Sequence, residues 1–135
     1  MIGIILVSHS SKIVEGLYDM IKEMVNIDSE NEQLSLQVAG GTEDGRLGTS
    51  AITIFDKIEE CSNCSDIFIF CDMGSAFLSA EMAQEMCDPV TEKKVRIVNV
   101  PLIDGAFFAS VQASIGKNAE EITGELATEF SFVNE

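Results

Sequence analysis

A chain of 135 residues, 46% of them apolar and 23% charged, makes one globular domain that buries about two-thirds of its unfolded surface. Eight Lys and Arg against 23 Asp and Glu leave a net charge of −15. That charge repels phosphate backbones and anionic lipid headgroups, and so argues against nucleic acid and membrane partners.

Met1 to Val7 is a continuous apolar run of the kind that forms a strand buried on both faces, and Ser8 to Ser11 is a polar turn with helix-capping residues. From Lys12 to Val25, the residues Ile13, Val14, Leu17, Met20, Ile21 and Met24 recur at helical spacing and predict a buried stripe. A polar loop, Asn26 to Gln33, leads to a second strand over Leu34 to Val38 and a glycine-rich loop over Ala39 to Gly48. Thr49 or Ser50 then caps a helix expected to turn Ile52, Phe55 and Ile58 inward. A third strand, Asp66 to Cys71, runs into Asp72-Met73-Gly74-Ser75 and a helix from Ala76 to about Met86. Lys94 to Val100 is the fourth strand, ended by Pro101, and two helices follow over about Asp104 to Ile115 and Asn118 to Phe130, broken near Gly116. The tail from Phe130 to Val133 leaves open a further edge strand.

Strand alternating with helix implies a parallel sheet with right-handed crossovers and helices on both faces. Residues 1–135 are therefore expected to form a single doubly wound α/β domain with a mainly parallel sheet of four or five strands. The longest apolar runs are too short to cross a bilayer and no secretory signal opens the chain, so a cytoplasmic protein is expected. In such folds ligands bind beyond the carboxyl ends of the strands, at the point where strand order reverses. That rule gathers Ser8-His9-Ser10, Ala39 to Thr42, Asp72 to Ser75 and Pro101 to Gly105 on one rim.

His9 is the sole histidine. Histidine serves as acid, base or nucleophile near neutral pH, while an isolated one also reads as a surface residue beside a helix cap. Asp72 ends an otherwise apolar strand, so its carboxylate emerges at the rim. With the first and third strands adjacent, it would meet the His9 ring and fix its tautomer; the competing reading is a simple cap of the next helix. Ser10 and Ser11 open one helix and Gly74 and Ser75 another, and helix N-termini offer free N–H groups to an anion. Gly40-Gly41-Thr42 lets a third loop approach closely, although its glycines match neither the Walker loop nor the dinucleotide fingerprint. Together these parts point to a histidine that briefly holds a phosphoryl group within a ring of amides, with no metal and no bound cofactor. Cys61-Ser-Asn-Cys64 has the spacing of zinc and redox sites, but a lone pair in a helix-to-strand loop reads as structural, as do Cys71 and Cys87 in apolar stretches. A second histidine is lacking for any multi-histidine zinc site.

Four segments, IILVSHSS from Ile4, GGTEDGRLGTS from Gly40, DMGSAFLSAEMA from Asp72 and PLIDGAFFASVQAS from Pro101, resemble the DhaM family. These are the phosphotransferase subunits of phosphoenolpyruvate-dependent dihydroxyacetone kinases, similar to the IIA components of mannose-class sugar phosphotransferase systems. The resemblance implies that His9 accepts a phosphoryl group from the phosphocarrier protein HPr, with phosphoenolpyruvate as ultimate donor. It implies transfer to ADP held by a DhaL subunit, which serves dihydroxyacetone bound on DhaK. It also implies that Asp72 orients His9 and that the protein is a homodimer. Longer members append phosphocarrier-like and Enzyme I-like segments, so this chain is expected to rely on separate carriers.

Three other readings compete. The segment Val7 to Ser11 also looks like the start of small cobalt and iron chelatases, which use a second histidine that this chain lacks. A receiver module phosphorylated on Asp72 needs carboxylates after the first strand to hold magnesium, and Ser8-His9-Ser10 has none. A mannose-class sugar-transport IIA component, passing its phosphoryl group to a IIB protein, would use identical chemistry. The segments Asp-Met-Gly-Ser-Ala and Leu-Ile-Asp-Gly-Ala favour the kinase subunit over it.

Overall fold

The computed structural model describes residues 1–25 and 33–130. Four strands, β1 (Ile2–Ser8), β2 (Leu34–Gly40), β3 (Asp66–Cys71) and β4 (Val95–Val98), form one parallel sheet in the order β2-β1-β3-β4. Strand order reverses between β1 and β3, whose carboxyl ends align with Val7 opposite Cys71. That reversal opens a crevice beside residues 8, 9 and 72.

The alternation of side chains along β1 and β3 divides the interior into two layers. Ile2, Ile4, Leu6, Phe68 and Phe70 face α1 (Ser11–Met24), α5 (Leu102–Ser114) and α6 (Ala119–Glu129). Ile5, Val7, Ile67, Ile69 and Cys71 face α2 (Ala51–Glu60) and α3 (Ser75–Glu85). Both faces of the central strands are covered, which is why β1 reads as unbroken hydrophobic sequence.

The helices are narrower on their inner sides than their apolar residues predict. On α1 only Val14, Leu17 and Ile21 are buried, while Ile13, Met20 and Met24 lie exposed. On α2 the inward residues are Ile54 and Ile58, with Ile52 exposed and Phe55 half-buried. On α3 the sheet receives Ala76, Ala80 and Ala83, and the larger Leu78, Met82 and Met86 point outward. Small inward residues let the helix lie close to the strands, and this closeness outweighs burial of the bulkier face.

The remaining differences lie at element ends. A short helix, α4 (Pro89–Glu92), is started by Asp88, whose carboxylate accepts the Thr91 amide at 2.9 Å, with Pro89 at its first position. The fourth strand is shorter than the expected Lys94 to Val100, and α5 begins at Leu102, directly after Pro101, rather than at Asp104. Most of the polar loop over Asn26 to Gln33, and the tail to Val133, fall outside the described residues. Cys61 and Cys64 are buried free thiols under β1, where a Cβ on Gly3 would lie 3.0 and 3.4 Å from their sulfurs. Cys71 and Cys87 are buried free thiols as well.

Candidate active site

β1 and β3 deliver the central pair. β1 ends at Ser8 and the chain turns at once into α1, which leaves His9 at the rim; β3 ends at Cys71, which leaves Asp72 beside it. The Asp72 amide donates to the Val7 carbonyl at 3.1 Å, carrying the sheet pairing one step past the last strand residue. The side chains then meet: His9 Nδ1 lies 3.0 Å from Asp72 Oδ1 and 3.2 Å from Oδ2.

Asp72 accepts three further hydrogen bonds. The His9 backbone N–H and the Ser8 hydroxyl both donate to Oδ2 at 3.0 Å, and the Met73 amide donates to Oδ1 at 2.7 Å. Burial alone pushes this carboxyl up, but the bonds from the His9 amide, the His9 ring, Ser8 and Met73 together outweigh it and hold the group below the ordinary carboxylate value. Asp72 is therefore an ionised acceptor at neutral pH, and Nδ1 must be the protonated nitrogen that faces it.

The other ring nitrogen faces a different residue. Ser75 Oγ lies 2.7 Å from His9 Nε2. With the proton on Nδ1, Nε2 carries the lone pair and the Ser75 hydroxyl is the donor. The imidazole is thus held between two side chains that leave β3 within one short segment. Gly74, in the left-handed region at φ 31°, makes the turn between them and starts α3. The amides of Gly74 and Ser75, at the start of α3, find no acceptor among the described residues.

The glycine loop makes the close approach that its composition predicts, at Gly40. Gly40 sits where a Cβ would come within 2.4 Å of Val14 Cγ2 and 2.6 Å of the Ser11 Cα, so only glycine lets β2 pass this close to α1. The Gly41 amide is already bonded to the Ser8 carbonyl at 3.1 Å, and the Thr42 amide to the Arg46 carbonyl at 2.8 Å. The Thr42 hydroxyl bonds Asp44 and accepts the Arg46 amide at 3.0 Å. Gly48 ties the far end of the loop to the His9 carbonyl at 2.8 Å. The loop therefore braces the backbone of Ser8 and His9 and offers no free amide from Gly41 or Thr42. Ser10 is similar: it is the N-cap of α1, its side chain makes no capping bond, and its amide donates to Ser8 Oγ at 3.0 Å.

Ser8 is a rim residue to which the sequence assigns no role of its own. It is fully buried, and its hydroxyl joins Asp72 to the start of α1. A serine closing an apolar strand beside a rim histidine was the available signal, and the turn assignment obscured it.

The site is open to solvent. The His9 side chain is 28% exposed and that of Asp72 12%. Two grooves of about 350 and 540 Å³ lie elsewhere, the first beside Phe68 and Arg96 and the second beside Met20 and Phe107. Neither is lined by His9. A reactive nitrogen on an open rim suits exchange with a group presented by another macromolecule better than enclosure of a small molecule. Among the described residues no cluster of three or more His, Cys, Asp or Glu is placed to hold a metal ion, and no helix is long and apolar enough to cross a membrane.

Known proteins resemble this chain along most of its length. Residues 3–123 match the EIIA-man family model, described as the PTS system fructose IIA component. A Listeria innocua protein named PEP-dependent dihydroxyacetone kinase 2, phosphoryl donor subunit DhaM, is 49% identical over 93% of this chain and 97% of its own length. A Lactococcus lactis protein named PTS-dependent dihydroxyacetone kinase, phosphotransferase subunit DhaM, is 37% identical over 92% of each chain. The crystal structure of the unknown-function protein EF1359 superposes with a TM-score of 0.80 at 36% identity, covering 93% of this chain and 92% of that one.

Proposed function

The chain belongs to the EIIA-man family of phosphotransferase-system IIA components and to its DhaM phosphoryl-donor branch, and on that premise we propose that His9 is the phosphoryl carrier of a dihydroxyacetone kinase. The single observation that supports this most is the division of labour on the ring. Asp72 takes Nδ1, and the lone pair of Nε2 is left to the Ser75 hydroxyl at the start of α3.

In the first step the Nε2 lone pair attacks the phosphorus of the phosphohistidine on HPr, an Nε2–P bond forms, and the donor's N–P bond breaks with its electron pair returning to the leaving imidazole. The positive charge that develops on the His9 ring is balanced by Asp72, which keeps the Nδ1 proton in place. The phosphoryl oxygens meet the Ser75 hydroxyl and the free amides of Gly74 and Ser75, with the N-terminal end of α3 contributing its partial positive charge. In the second step a β-phosphate oxygen of ADP on DhaL attacks the same phosphorus, the Nε2–P bond breaks, and ATP forms for use on dihydroxyacetone held by DhaK. This chain needs no resident cofactor for either step. The working form would be a cytoplasmic homodimer.

The experiment is a partner assay. Phosphoprotein made with labelled phosphoenolpyruvate, Enzyme I and HPr is mixed with DhaL–ADP or, separately, with a mannose-class IIB protein. Loss of label to DhaL–ADP is expected; loss to IIB alone would assign the chain to sugar transport instead.

A further inference from the structure

We infer that Ser8 is a positioning residue for the phosphoryl transfer, acting through Asp72, and that its buried hydroxyl links the start of α1 to the carboxylate that orients His9. The inference rests on the carrier reading of His9.

Ser8 is the last residue of β1 and has no exposed surface, so its hydroxyl must find its partners inside the protein. It has two. The Ser10 amide donates to Oγ at 3.0 Å, and Oγ donates to Asp72 Oδ2 at 3.0 Å. A hydroxyl has a single proton, and the Ser10 amide occupies one of its lone pairs. The proton is therefore committed to Asp72, and the bonds run in one direction, from the α1 N-cap amide through Ser8 to the carboxylate. The positive end of α1 thus reaches an anion that it does not touch.

The consequence for chemistry lies in how the carboxylate is rotated. Oδ2 is pinned by two donors, the Ser8 hydroxyl and the His9 amide. Oδ1 makes the shorter contact to Nδ1, 3.0 against 3.2 Å from Oδ2, with the Met73 amide also donating to it. Removing the hydroxyl leaves Oδ2 with the His9 amide and the longer 3.2 Å contact to Nδ1, loosens the carboxylate, and strands the Ser10 amide. The ring then loses the restraint that keeps its proton on Nδ1 and its lone pair on Nε2. A hydrogen bond to a charged group of this kind is worth about 10- to 100-fold in an equilibrium or rate.

The test compares S8A, S8T and S8C in the full chain by two readouts. Nitrogen-15 spectra of the His9 ring report the tautomer and need no phosphoryl donor, so they test Ser8 even if His9 proves not to be a carrier. Label uptake from phosphorylated HPr reports the transfer rate. S8A is expected to mix the two tautomers and slow uptake about 10- to 100-fold, whereas S8T keeps the hydroxyl and stays within about threefold of the parent. If S8A does not fold, S8C, close in size and a weak donor, takes its place and is expected to show the same two losses. A double variant with D72N should be no slower than D72N alone, since Ser8 acts only through that carboxylate. A folded S8A with a parental tautomer and uptake rate would overturn the inference, as would fully additive losses in the double variant.

Discussion

Asp72 holds both the ring and the backbone of His9, with Oδ1 3.0 Å from Nδ1 and Oδ2 accepting the His9 amide at 3.0 Å. One carboxylate thereby sets the position of the residue and the orientation of its side chain together. A histidine on an exposed turn would otherwise sample several rotamers, and only a fraction of them would aim Nε2 outward.

Replacing His9 by Gln should abolish phosphoryl uptake while leaving the fold intact. Incubation with labelled phosphoenolpyruvate, Enzyme I and HPr, checked by circular dichroism for folding, measures both. Label retained on a folded variant would remove His9 from the role of carrier.

Asp72→Ala should slow uptake by ~10²-fold or more, because it removes the tautomer control and the countercharge together. Rapid-quench measurement of the HPr-to-protein step is the check. A parental rate would reduce Asp72 to a helix cap.

The bond formed should be labile in acid and stable in base, as phosphoramidates are. Survival of label through alkaline and acid treatment distinguishes it from an acyl phosphate on Asp72, which would show the opposite pattern.

Stability should depend on Asp72 in acid. Its carboxyl lies below the ordinary value of 3.8 in the folded protein, so its contribution is complete above that value and is lost as pH falls through the lower folded one. Urea unfolding midpoints of the parent and of D72N should therefore converge as pH falls from about 5 to about 2. A gap that stays constant over that window would show that the carboxylate's charge contributes nothing to folding.

Gly40→Ala should destabilise the protein by about 1–3 kcal/mol, because the added methyl meets Val14 Cγ2 at 2.4 Å and the α1 backbone at 2.6 Å. The α1 backbone cannot move away without shifting His9, so uptake should fall with stability. Thermal unfolding and label uptake on one preparation test both.

The α/β order, the parallel sheet and the meeting of His9 with Asp72 were legible because each follows from strand ends and from the adjacency of β1 and β3. The inward faces of the helices were less so. Hydrophobic spacing on α1 marks Ile13, Met20 and Met24 as well as the buried trio, and nothing in a one-dimensional pattern tells which residues the sheet has room for. On α3 the pattern misleads outright, since the alanines pack and the methionines do not. The roles within the glycine loop were hidden for another reason. Composition reveals that Gly41 and Thr42 sit near the rim, but whether their amides are spent on Ser8 and Arg46 depends on the folded path of the backbone.

The match of Val7 with Cys71 across the two central strands reaches beyond stability. A strand displaced by one residue would turn its alternate side chains to the other layer, and the acid would then leave the imidazole's side. Reactivity here is an alignment property, set by isoleucines and phenylalanines that never see phosphorus. Enlarging or trimming one of them, many ångströms from the reaction, should register as lost turnover before it registers as lost structure.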